Sequence, residues 1–268
     1  MKASPEDLSR VAGGLSALVI AKDEEDDLPE CLDSLRGLAD EIVVLVDDAT
    51  TDRTEELARA SGARTARRRF DDYESQRQAA LELCGRQWVL WLDPDERVTP
   101  ELREEIRERL SETTRRLAGF RIFFKVHFMG RQLRFGGLGR EAHLRLFRRE
   151  GARFAGGALH EGVRFDAGEV ETLPAGAAIR HEPYADLSDY MEKLDRYTTL
   201  AARKRLAAGR RFHCWDHLRL PWQFFSRAVL KAGFLDGQPG LVWAGLSAFH
   251  SWIKYVKLEE LRRAEKRI

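Results

Sequence analysis

The sequence has few cysteines and no long apolar run. Its three cysteines, Cys31, Cys84 and Cys214, are scattered and lack the spacing of metal ligands or of a disulfide framework, which favours a reducing compartment. No apolar run reaches the roughly 18 residues needed to span a bilayer. The best candidate, Leu241–Ile253, is too short and contains His250. No secretory signal is recognisable at the start, so we expect a cytoplasmic protein.

Glycine-rich phosphate-binding loops are also absent. Neither G-x-G-x-x-G nor G-x-x-x-x-G-K-[ST] follows the first predicted strand. This absence argues against a dinucleotide-dependent enzyme and against a P-loop nucleotidase. No RNA- or DNA-binding motif occurs, and most of the chain is acidic, so nucleic acid is not an expected partner.

Charge is unevenly distributed, although the net charge is only +1. Residues 201–268 contain 14 Lys and Arg against five Asp and Glu, which gives +9, so the preceding residues carry −8. Such asymmetry indicates either an acidic partner for the C-terminal part or a solvated basic helix surface.

The first half alternates strand and helix patterns. Apolar runs at Leu15–Ala21, Glu41–Val46 and Trp88–Leu92 predict buried strands, and a segment with helical spacing follows each of them. This order favours an α/β fold with a mostly parallel sheet joined by right-handed crossovers. Asp52 is predicted to cap the second helix, with Glu55 as its capping-box partner.

The second half becomes helical. Ser188–Ala208 has helical spacing, and aromatic-rich helices are predicted at Trp215–Phe234 and Leu241–Arg267, separated by the segment Gly237–Gly240. We therefore divide the chain into an α/β domain, residues 1–186, and a helical region, residues 187–268. In the helical region Trp and Phe are expected to be mostly core residues. Because they are mixed with Lys and Arg, they also fit an anionic membrane surface, with homodimer packing as the rival interpretation.

Acidic loops follow three of the predicted strands, at Asp23–Glu25, Asp47–Asp48 and Asp93–Glu96. Because the carboxyl ends of parallel strands meet at one edge of a sheet, these loops should share a rim, where ligands commonly bind. Carboxylates can hydrogen-bond to ribose and base, and they hold phosphate through a divalent cation such as Mg²⁺ or Mn²⁺. The sequence therefore predicts a ligand site at this rim.

The acidic loops resemble those of a known family. Leu18–Glu25 (LVIAKDEE), Val46–Thr54 (VDDATTDRT) and Trp91–Glu96 (WLDPDE) are similar to the three signature segments of the family 2 inverting glycosyltransferases, which have a GT-A fold. Asp23 stands where Asn is usual, and Ala49-Thr50 stands where Gly-Ser is usual. Five further segments resemble the branch that adds β-glucose to the lipopolysaccharide core: Phe70–Arg77, Leu144–Arg148, Leu159–Glu161, Tyr197–Ala201 and Lys231–Gly237.

The resemblance implies roles for five carboxylates in binding the donor. Glu24 and Asp48, together with Asp47, would line the nucleoside pocket. Asp93 would bind the ribose, and Asp95 would ligate the divalent cation that bridges the diphosphate.

Five further residues complete the implied site. Arg77 would face the uracil or the phosphates, or be an exposed surface arginine. Arg145 and Arg148 would meet the diphosphate or an anionic acceptor, or be ordinary exposed arginines. His160 would be a third metal ligand or a phosphate contact, and Glu161 would be the general base, unless the two form a structural pair.

The resemblance thus implies a transferase that moves a hexose, with UDP-glucose as the expected donor. The expected acceptor is a lipid-linked saccharide such as the inner core of lipopolysaccharide. Such an acceptor would place the protein peripherally on the inner face of a bacterial cytoplasmic membrane. A protein or polyprenyl phosphate acceptor, and a non-catalytic nucleotide-sugar-binding protein, are the alternatives.

Overall fold

The computed structural model describes residues 13–112, 116–138, 142–155 and 162–265. The chain divides into two compact units. The first contains the described residues within Met1–Phe124 and Glu141–His181, and the second those within Lys125–Arg140 and Glu182–Ile268. The predicted domain boundary between residues 186 and 187 stays a prediction.

Strands dominate the first unit, and the longest helices lie in the second. The strands are β1 (Leu15–Ala21), β2 (Glu41–Asp47), β3 (Arg64–Arg68), β4 (Trp88–Leu92), β5 (Glu96–Val98), β6 (Leu117–Phe128), β7 (Arg131–Gln132), β8 (Ala142–Arg148), β9 (Arg153–Ala155), β10 (Gly162–Arg164), β11 (Glu169–Thr172) and β12 (Ala178–His181). The helices are α1 (Leu28–Leu35), α2 (Thr54–Ala60), α3 (Tyr73–Leu83), α4 (Pro100–Glu112), α5 (Leu187–Ala207), α6 (Arg219–Phe225) and α7 (Gly237–Glu265).

One sheet organises the first unit. Its strand order is β3-β2-β1-β4-β8-β6-β12-β5, and β3, β2, β1 and β4 run parallel to one another. β8 then pairs antiparallel with both β4 and β6. The order confirms the predicted α/β class, in which helical crossovers join parallel strands. β1 and β4 are buried along their whole length, as their continuous apolar runs predict.

The two faces of the sheet carry separate hydrophobic cores. Alternate residues of β1 point to opposite faces because the side-chain period of a strand is two. Leu15 and Val19 belong to the cluster that contains α1 and α4, and Leu18 belongs to the cluster that contains α3. Helices therefore cover both faces and leave the carboxyl edge of the strands as the rim where loops can hold a ligand.

Helices α5 and α7 form much of the second unit. The buried residues of α5 are Tyr190, Leu194, Thr198 and Ala202, which recur every four positions and so line one face of the helix. Lys257 of α7 donates hydrogen bonds to Asp195 and Thr199 of α5. The predicted helical C-terminal region is confirmed.

Two local predictions about this region are wrong. The segment Gly237–Gly240 does not separate helices, because α7 begins at Gly237 and proline is tolerated in a first turn, where its missing N–H needs no partner. Trp215–Phe234 is not one helix but a series of short pieces: a 3₁₀ turn at Cys214–Leu218, α6, a π turn at Ser226–Leu230 and a 3₁₀ turn at Gly233–Asp236.

The predicted cap at Asp52 is also wrong. Helix α2 begins at Thr54, and its N-cap position is Arg53, which makes no side-chain cap. Asp52 instead accepts hydrogen bonds from the N–H of Thr54 (2.9 Å) and from the N–H of Glu25 (3.0 Å). Its carboxylate is used to join two loops, a tertiary contact that a local capping pattern does not encode.

Candidate active site

The parallel strands bring three acidic loops to one rim. Ala21, the last residue of β1, pairs with Val46 of β2, and Val19 pairs with Leu92, the last residue of β4. The loops that follow these strands therefore leave the sheet side by side. The sequence-based prediction of a shared acidic edge is confirmed for the described residues.

Hydrogen bonds fasten the first acidic loop to the second. Oδ1 of Asp23 accepts from the N–H of Thr51 at 2.8 Å, and Oε2 of Glu25 accepts from Nε of Arg53 at 3.1 Å. Asp23 has φ of 53°, a left-handed conformation that Asp tolerates better than most residues. The departure from the usual Asn at this position thus retains both the backbone conformation and a side-chain acceptor.

The predicted nucleoside-pocket residues differ in what they offer a ligand. Asp47 is buried, and its Oδ1 accepts from the N–H of Ala49 at 3.0 Å, so it stabilises the turn after β2. Asp48 is exposed, and Glu24 is half-buried with its N–H bonded to Oγ1 of Thr54 at 2.8 Å. Of the three predicted nucleoside-pocket residues, Asp48 and Glu24 are therefore the accessible ones.

Arg145 lies at the centre of the third loop's contacts. Its Nη2 donates to Oε1 of Glu96 at 2.7 Å and to Oδ2 of Asp93 at 3.3 Å. The guanidinium lies 4.0 Å from the ring centroid of Trp91 and 5.1 Å from that of Phe124, which places it within cation–π range of both. Arg145 is buried, so the alternative prediction of an exposed surface arginine is wrong.

Arg77 holds the other side of Asp93. Its Nη2 lies 3.3 Å from Oδ1 of Asp93, and its guanidinium lies 4.3 Å from the ring centroid of Trp91. Trp91 is therefore contacted by both arginines, and both arginines orient one carboxylate. Arg77 is largely buried, which rules out the surface reading and makes it a residue that positions Asp93.

Burial and charge act in opposite directions on the two carboxyls that share Arg145. Burial raises the pKa of Asp93, but the charges of Arg145 and Arg77 outweigh it and leave the pKa lowered. For Glu96 burial prevails over Arg145, and with the nearby charge of Asp93 it raises the pKa to about 7. Asp93 is therefore ionised at neutral pH, whereas Glu96 is much closer to accepting a proton.

Asp95, Glu96 and His181 form a group that could hold a metal ion, because one ligand atom from each lies within 4.8 Å of the others. Nε2 of His181 is 3.3 Å from Oδ2 of Asp95. Burial is the largest influence on His181 and lowers its pKa, but the hydrogen bond to Asp95 and the charges of Asp95 and Glu96 leave the pKa raised. The pair has the donor atoms of a mixed carboxylate–imidazole site.

The three members do not fit a metal equally well. Glu96 is 1% exposed, and its two carboxylate oxygens accept from Arg145 and from the N–H of Asp93. The side chains of Asp95 and His181 are 22% and 28% exposed. Asp95 and His181 could therefore bind a cation whose remaining ligands are water molecules or substrate oxygens. Glu96 instead uses both of its carboxylate oxygens to support the loop.

The remaining predicted residues have different outcomes. His160 and Glu161 lie outside the described residues. Arg148 pairs across the sheet with Trp88, at the start of β4, and its Nε donates to the carbonyl of Leu117 at 2.8 Å. Trp88 is the first residue of β4, and the acidic loop follows the last. Arg148 therefore lies at the end of the strand away from the acidic rim.

His181 is the residue that sequence reasoning missed. It ends β12, which pairs antiparallel with β5, and the register sets His181 opposite Glu96. β5, Glu96–Val98, begins at the last residue of the predicted acidic loop Asp93–Glu96, where no strand was expected. An adjacent His–Glu pair, residues 181 and 182, was the available signal in the sequence, but it gave no indication of a neighbouring strand.

Comparison with known proteins agrees with the geometry of the rim. The sequence model of the family described as "Glycosyl transferase family 2" matches residues 16–132, which contain all three acidic loops. Residues 16–132 therefore resemble a family 2 glycosyltransferase domain. The resemblance noted from the loop residues is therefore confirmed.

Relatives match over most of the chain. The lipopolysaccharide core biosynthesis glycosyltransferase LpsC of Rhizobium meliloti is 28% identical over 248 residues, which cover 87% of this chain and 90% of the relative. An uncharacterized glycosyltransferase of Rickettsia typhi is 25% identical over 260 residues, which cover 92% of this chain and 87% of the relative.

Solved structures match more distantly. Staphylococcus aureus TarS, residues 1–349, is 15% identical with a TM-score of 0.46, covering 94% of this chain and 92% of that one. Mycobacterium tuberculosis glucosyl-3-phosphoglycerate synthase, in complex with Mn²⁺, UDP and glucosyl-3-phosphoglycerate, is 18% identical with a TM-score of 0.44, covering 70% and 80%.

Proposed function

We propose that this family 2 glycosyltransferase moves a hexose from a nucleotide-sugar donor, with UDP-glucose as the first candidate, to a lipid-linked saccharide. The observation that carries the proposal is the third loop. In this loop Asp95 is partly exposed beside His181, and Asp93 is paired with both Arg77 and Arg145. A divalent cation at the diphosphate would need protein ligands that are accessible to the substrate. A ribose would need a hydrogen-bond acceptor in a fixed position, and the loop offers both.

In this proposal the donor's nucleoside lies against the first two loops. Glu24 and Asp48 accept hydrogen bonds from the base, and Asp93 accepts them from the ribose hydroxyls. Arg77 and Arg145 keep Asp93 ionised and fixed, because their charges lower its pKa. The bonds between the loops at Asp23 and Glu25 hold the pocket in shape before the donor arrives, which reduces the entropy lost on binding.

Asp95 and His181 would hold the divalent cation. Their mixed oxygen and nitrogen donors suit Mn²⁺ better than Mg²⁺, which prefers oxygen ligands alone. When bound, the cation supplies positive charge that stabilises the departing diphosphate. Glu96 supports this pair indirectly, since it fixes the loop through the N–H of Asp93.

The reaction itself makes one bond and breaks another. The oxygen of an acceptor hydroxyl attacks the anomeric carbon, the bond from that carbon to the diphosphate oxygen breaks, and the nucleoside diphosphate leaves with the electron pair. A base must take the hydroxyl proton, and Glu161 is the proposed base. Glu96 is a poor substitute because it is buried and paired with Arg145.

The lipid-linked acceptor is supported by LpsC, whose name assigns it to lipopolysaccharide core biosynthesis. We propose the same class of acceptor for this chain and a peripheral position on the inner face of the membrane. Within the described residues, no helix is both long enough and apolar enough to cross a bilayer.

A donor panel with purified protein and Mn²⁺ tests the proposal. UDP-glucose, UDP-galactose, GDP-mannose and ADP-glucose would be compared by release of the nucleoside diphosphate, with and without a lipid-linked core saccharide. We expect Mn²⁺-dependent turnover of one UDP-hexose, accelerated by that acceptor. Turnover accelerated only by polyprenyl phosphate or by a protein would reassign the acceptor, and turnover of no donor would favour a binding protein.

A further inference from the structure

The second unit contains a polar cavity that the proposed transfer reaction does not use. Its volume is about 380 Å³, and it lies among α5, α6, α7 and the chain segments next to them. Among its lining residues are Tyr184, Arg227, Trp243, His250 and Lys254. Three of these five side chains are basic, and none of the cavity's lining residues is Asp or Glu.

Helix α7 supplies one wall of this cavity. Trp243, Ser247, His250 or Ser251, and Lys254 follow one another at intervals of three or four residues, so they lie on one side of the helix. Arg227, in the π turn Ser226–Leu230, lines the cavity from outside this helix. π turns are rare and are frequent at functional sites.

Two donor atoms in the cavity lining lack partners. Nε of Arg227 and Nε1 of Trp243 are buried and make no hydrogen bond within the described residues. Both carry N–H groups, and a buried donor without an acceptor costs about 1–3 kcal/mol. Any partner for these two N–H groups would have to be an acceptor, and an anion would also offer Arg227 a counter-charge.

The surroundings strengthen this electrostatic requirement. Burial lowers the pKa of Lys254, and the nearby charges of Arg205 and Arg219 lower it further. Burial likewise lowers the pKa of His250, as do the charges of Lys254, Arg205 and Arg227. Of the neighbouring arginines, Arg219 is already paired with Asp216. The cavity's own basic groups have no Asp or Glu among the lining residues, so an anion bound there would offset their mutual repulsion.

We propose that this cavity binds a phosphate group, held by Arg227, His250, Lys254 and the indole N–H of Trp243. A phosphate offers several acceptor oxygens around one centre, which suits N–H donors that approach from different elements. The phosphate can belong to a free metabolite or to a lipid headgroup, and both sources present the same chemistry. The proposal concerns the second unit alone and does not depend on the transferase activity.

Calorimetric titration of the whole protein with inorganic phosphate, in a chloride buffer, tests the proposal. Lys254→Gln and His250→Gln should each weaken binding, the lysine change by about tenfold or more, because a charge-assisted hydrogen bond is lost. Lys204→Gln is the matched control, since Lys204 is an exposed lysine of the same unit. Arg227 is left intact because its Nη1 also holds the carbonyl of Gly136.

A second measurement locates the bound anion. The ¹⁵N–¹H signal of the Trp243 indole, assigned by its loss in Trp243→Phe, should shift when phosphate is added. Dihexanoyl phosphatidic acid, used as a soluble monomer, replaces phosphate in the other arm.

The two arms separate the sources of phosphate. Binding that is lost in Lys254→Gln but kept in Lys204→Gln supports the site. Binding of phosphate alone identifies a free phosphate as the ligand, binding of the lipid alone identifies a headgroup, and binding of both shows that the site accepts either source. No binding of either ligand, equal binding in Lys254→Gln and Lys204→Gln, or an unmoved indole signal would overturn the proposal.

Discussion

Nε2 of His181 lies 3.3 Å from Oδ2 of Asp95, although 86 residues separate them in the chain. Asp95 lies in the short loop between β4 and β5, whereas His181 ends β12, which pairs with β5. The loop after β4 is thus completed by a strand from much later in the sequence. This contact is the basis for the first two predictions.

Asp95→Ala should abolish metal-dependent donor turnover while leaving the fold intact. The carboxylate is one of two open ligands, and a cation at a departing diphosphate contributes several kcal/mol, so we expect a loss of about 10²-fold or more. Manganese binding measured by electron paramagnetic resonance should fall in parallel. Asp33→Ala, at an exposed aspartate, is the control. Normal turnover by Asp95→Ala, or insensitivity of the wild type to chelator, would refute the metal assignment.

His181→Asn should change the pH dependence of stability of the metal-free protein. The pKa of folded His181 is raised above its ordinary 6.5, so its contribution is fully present below pH 6.5 and is lost as the pH rises through the folded pKa. The gap in Tm between wild type and variant should therefore be larger at about pH 5.5 than at about pH 8.5. Because the pair is partly exposed, we expect a contribution of about 1 kcal/mol or less.

Manganese should reverse this trend, because only the neutral imidazole binds a metal. The rise in Tm that Mn²⁺ causes in the wild type should grow with pH and be reduced in His181→Asn. A Tm gap that is the same at both pH values, with an unchanged response to Mn²⁺, would show that His181 neither pairs with Asp95 nor binds the cation.

Glu161→Gln should separate donor binding from transfer. The amide keeps the size of the side chain but cannot accept the proton of the acceptor hydroxyl, so transfer should fall by about 10²-fold or more while the donor still binds. Binding is followed by calorimetry with UDP, and transfer by product formation. Glu169→Gln, at an exposed glutamate, is the control. Near-normal transfer would move the base to Asp166, since Glu96 is buried against Arg145.

Arg145→Met should destabilise the protein by about 3 kcal/mol or more, because Glu96 would be left buried without its counter-charge. Replacing both partners, in Arg145→Met/Glu96→Leu, should recover part of the loss, as expected when two residues are coupled. Urea unfolding measures the free energies. Arg36→Met removes an exposed ion pair and should cost about 1 kcal/mol at most. A double variant no more stable than Arg145→Met would show that the stacking on Trp91 matters more than the ion pair.

The second unit should bind anionic vesicles through exposed aromatic residues. Trp215 and Trp222 are 74% and 58% exposed, and the sequence nearby is basic at Arg210 and Arg211. Each Lys or Arg near an anionic leaflet contributes roughly 1 kcal/mol, and the contribution weakens with ionic strength. Trp215→Ser/Trp222→Ser should reduce co-sedimentation with anionic vesicles, and Tyr197→Ser, at another exposed aromatic of this unit, should not.

The structure also shows which basic residues a charge variant should leave in place. Nζ of Lys257 is bonded to Asp195 and Thr199, and both Arg262 and Arg263 pair with Glu259. Their replacement would disturb helix contacts, so Arg210→Gln/Arg211→Gln is the sharper charge variant. No binding to anionic or neutral vesicles, together with a stable dimer in solution, would favour homodimer packing instead.

The sequence by itself determined the sheet strands that support the rim and the position of the acidic loops. Continuous apolar runs at Leu15–Ala21 and Trp88–Leu92 can be buried only between two layers of helix, so pattern and structure agree at β1 and β4. The loops follow directly from these strands, and parallel pairing puts their ends together. For this reason the position of Asp93 and Asp95 at the shared rim could be predicted without any tertiary information.

Only the tertiary structure decided which other side chains reach that loop. Arg145 and Arg148 look equivalent in sequence, yet the antiparallel register of β8 on β4 sends one toward Asp93 and the other toward Trp88. His181 comes to Asp95 through pairing of β12 with β5. Strand register between distant segments depends on long-range hydrogen bonds and packing, whereas local periodicity records only which residues of one segment share a face.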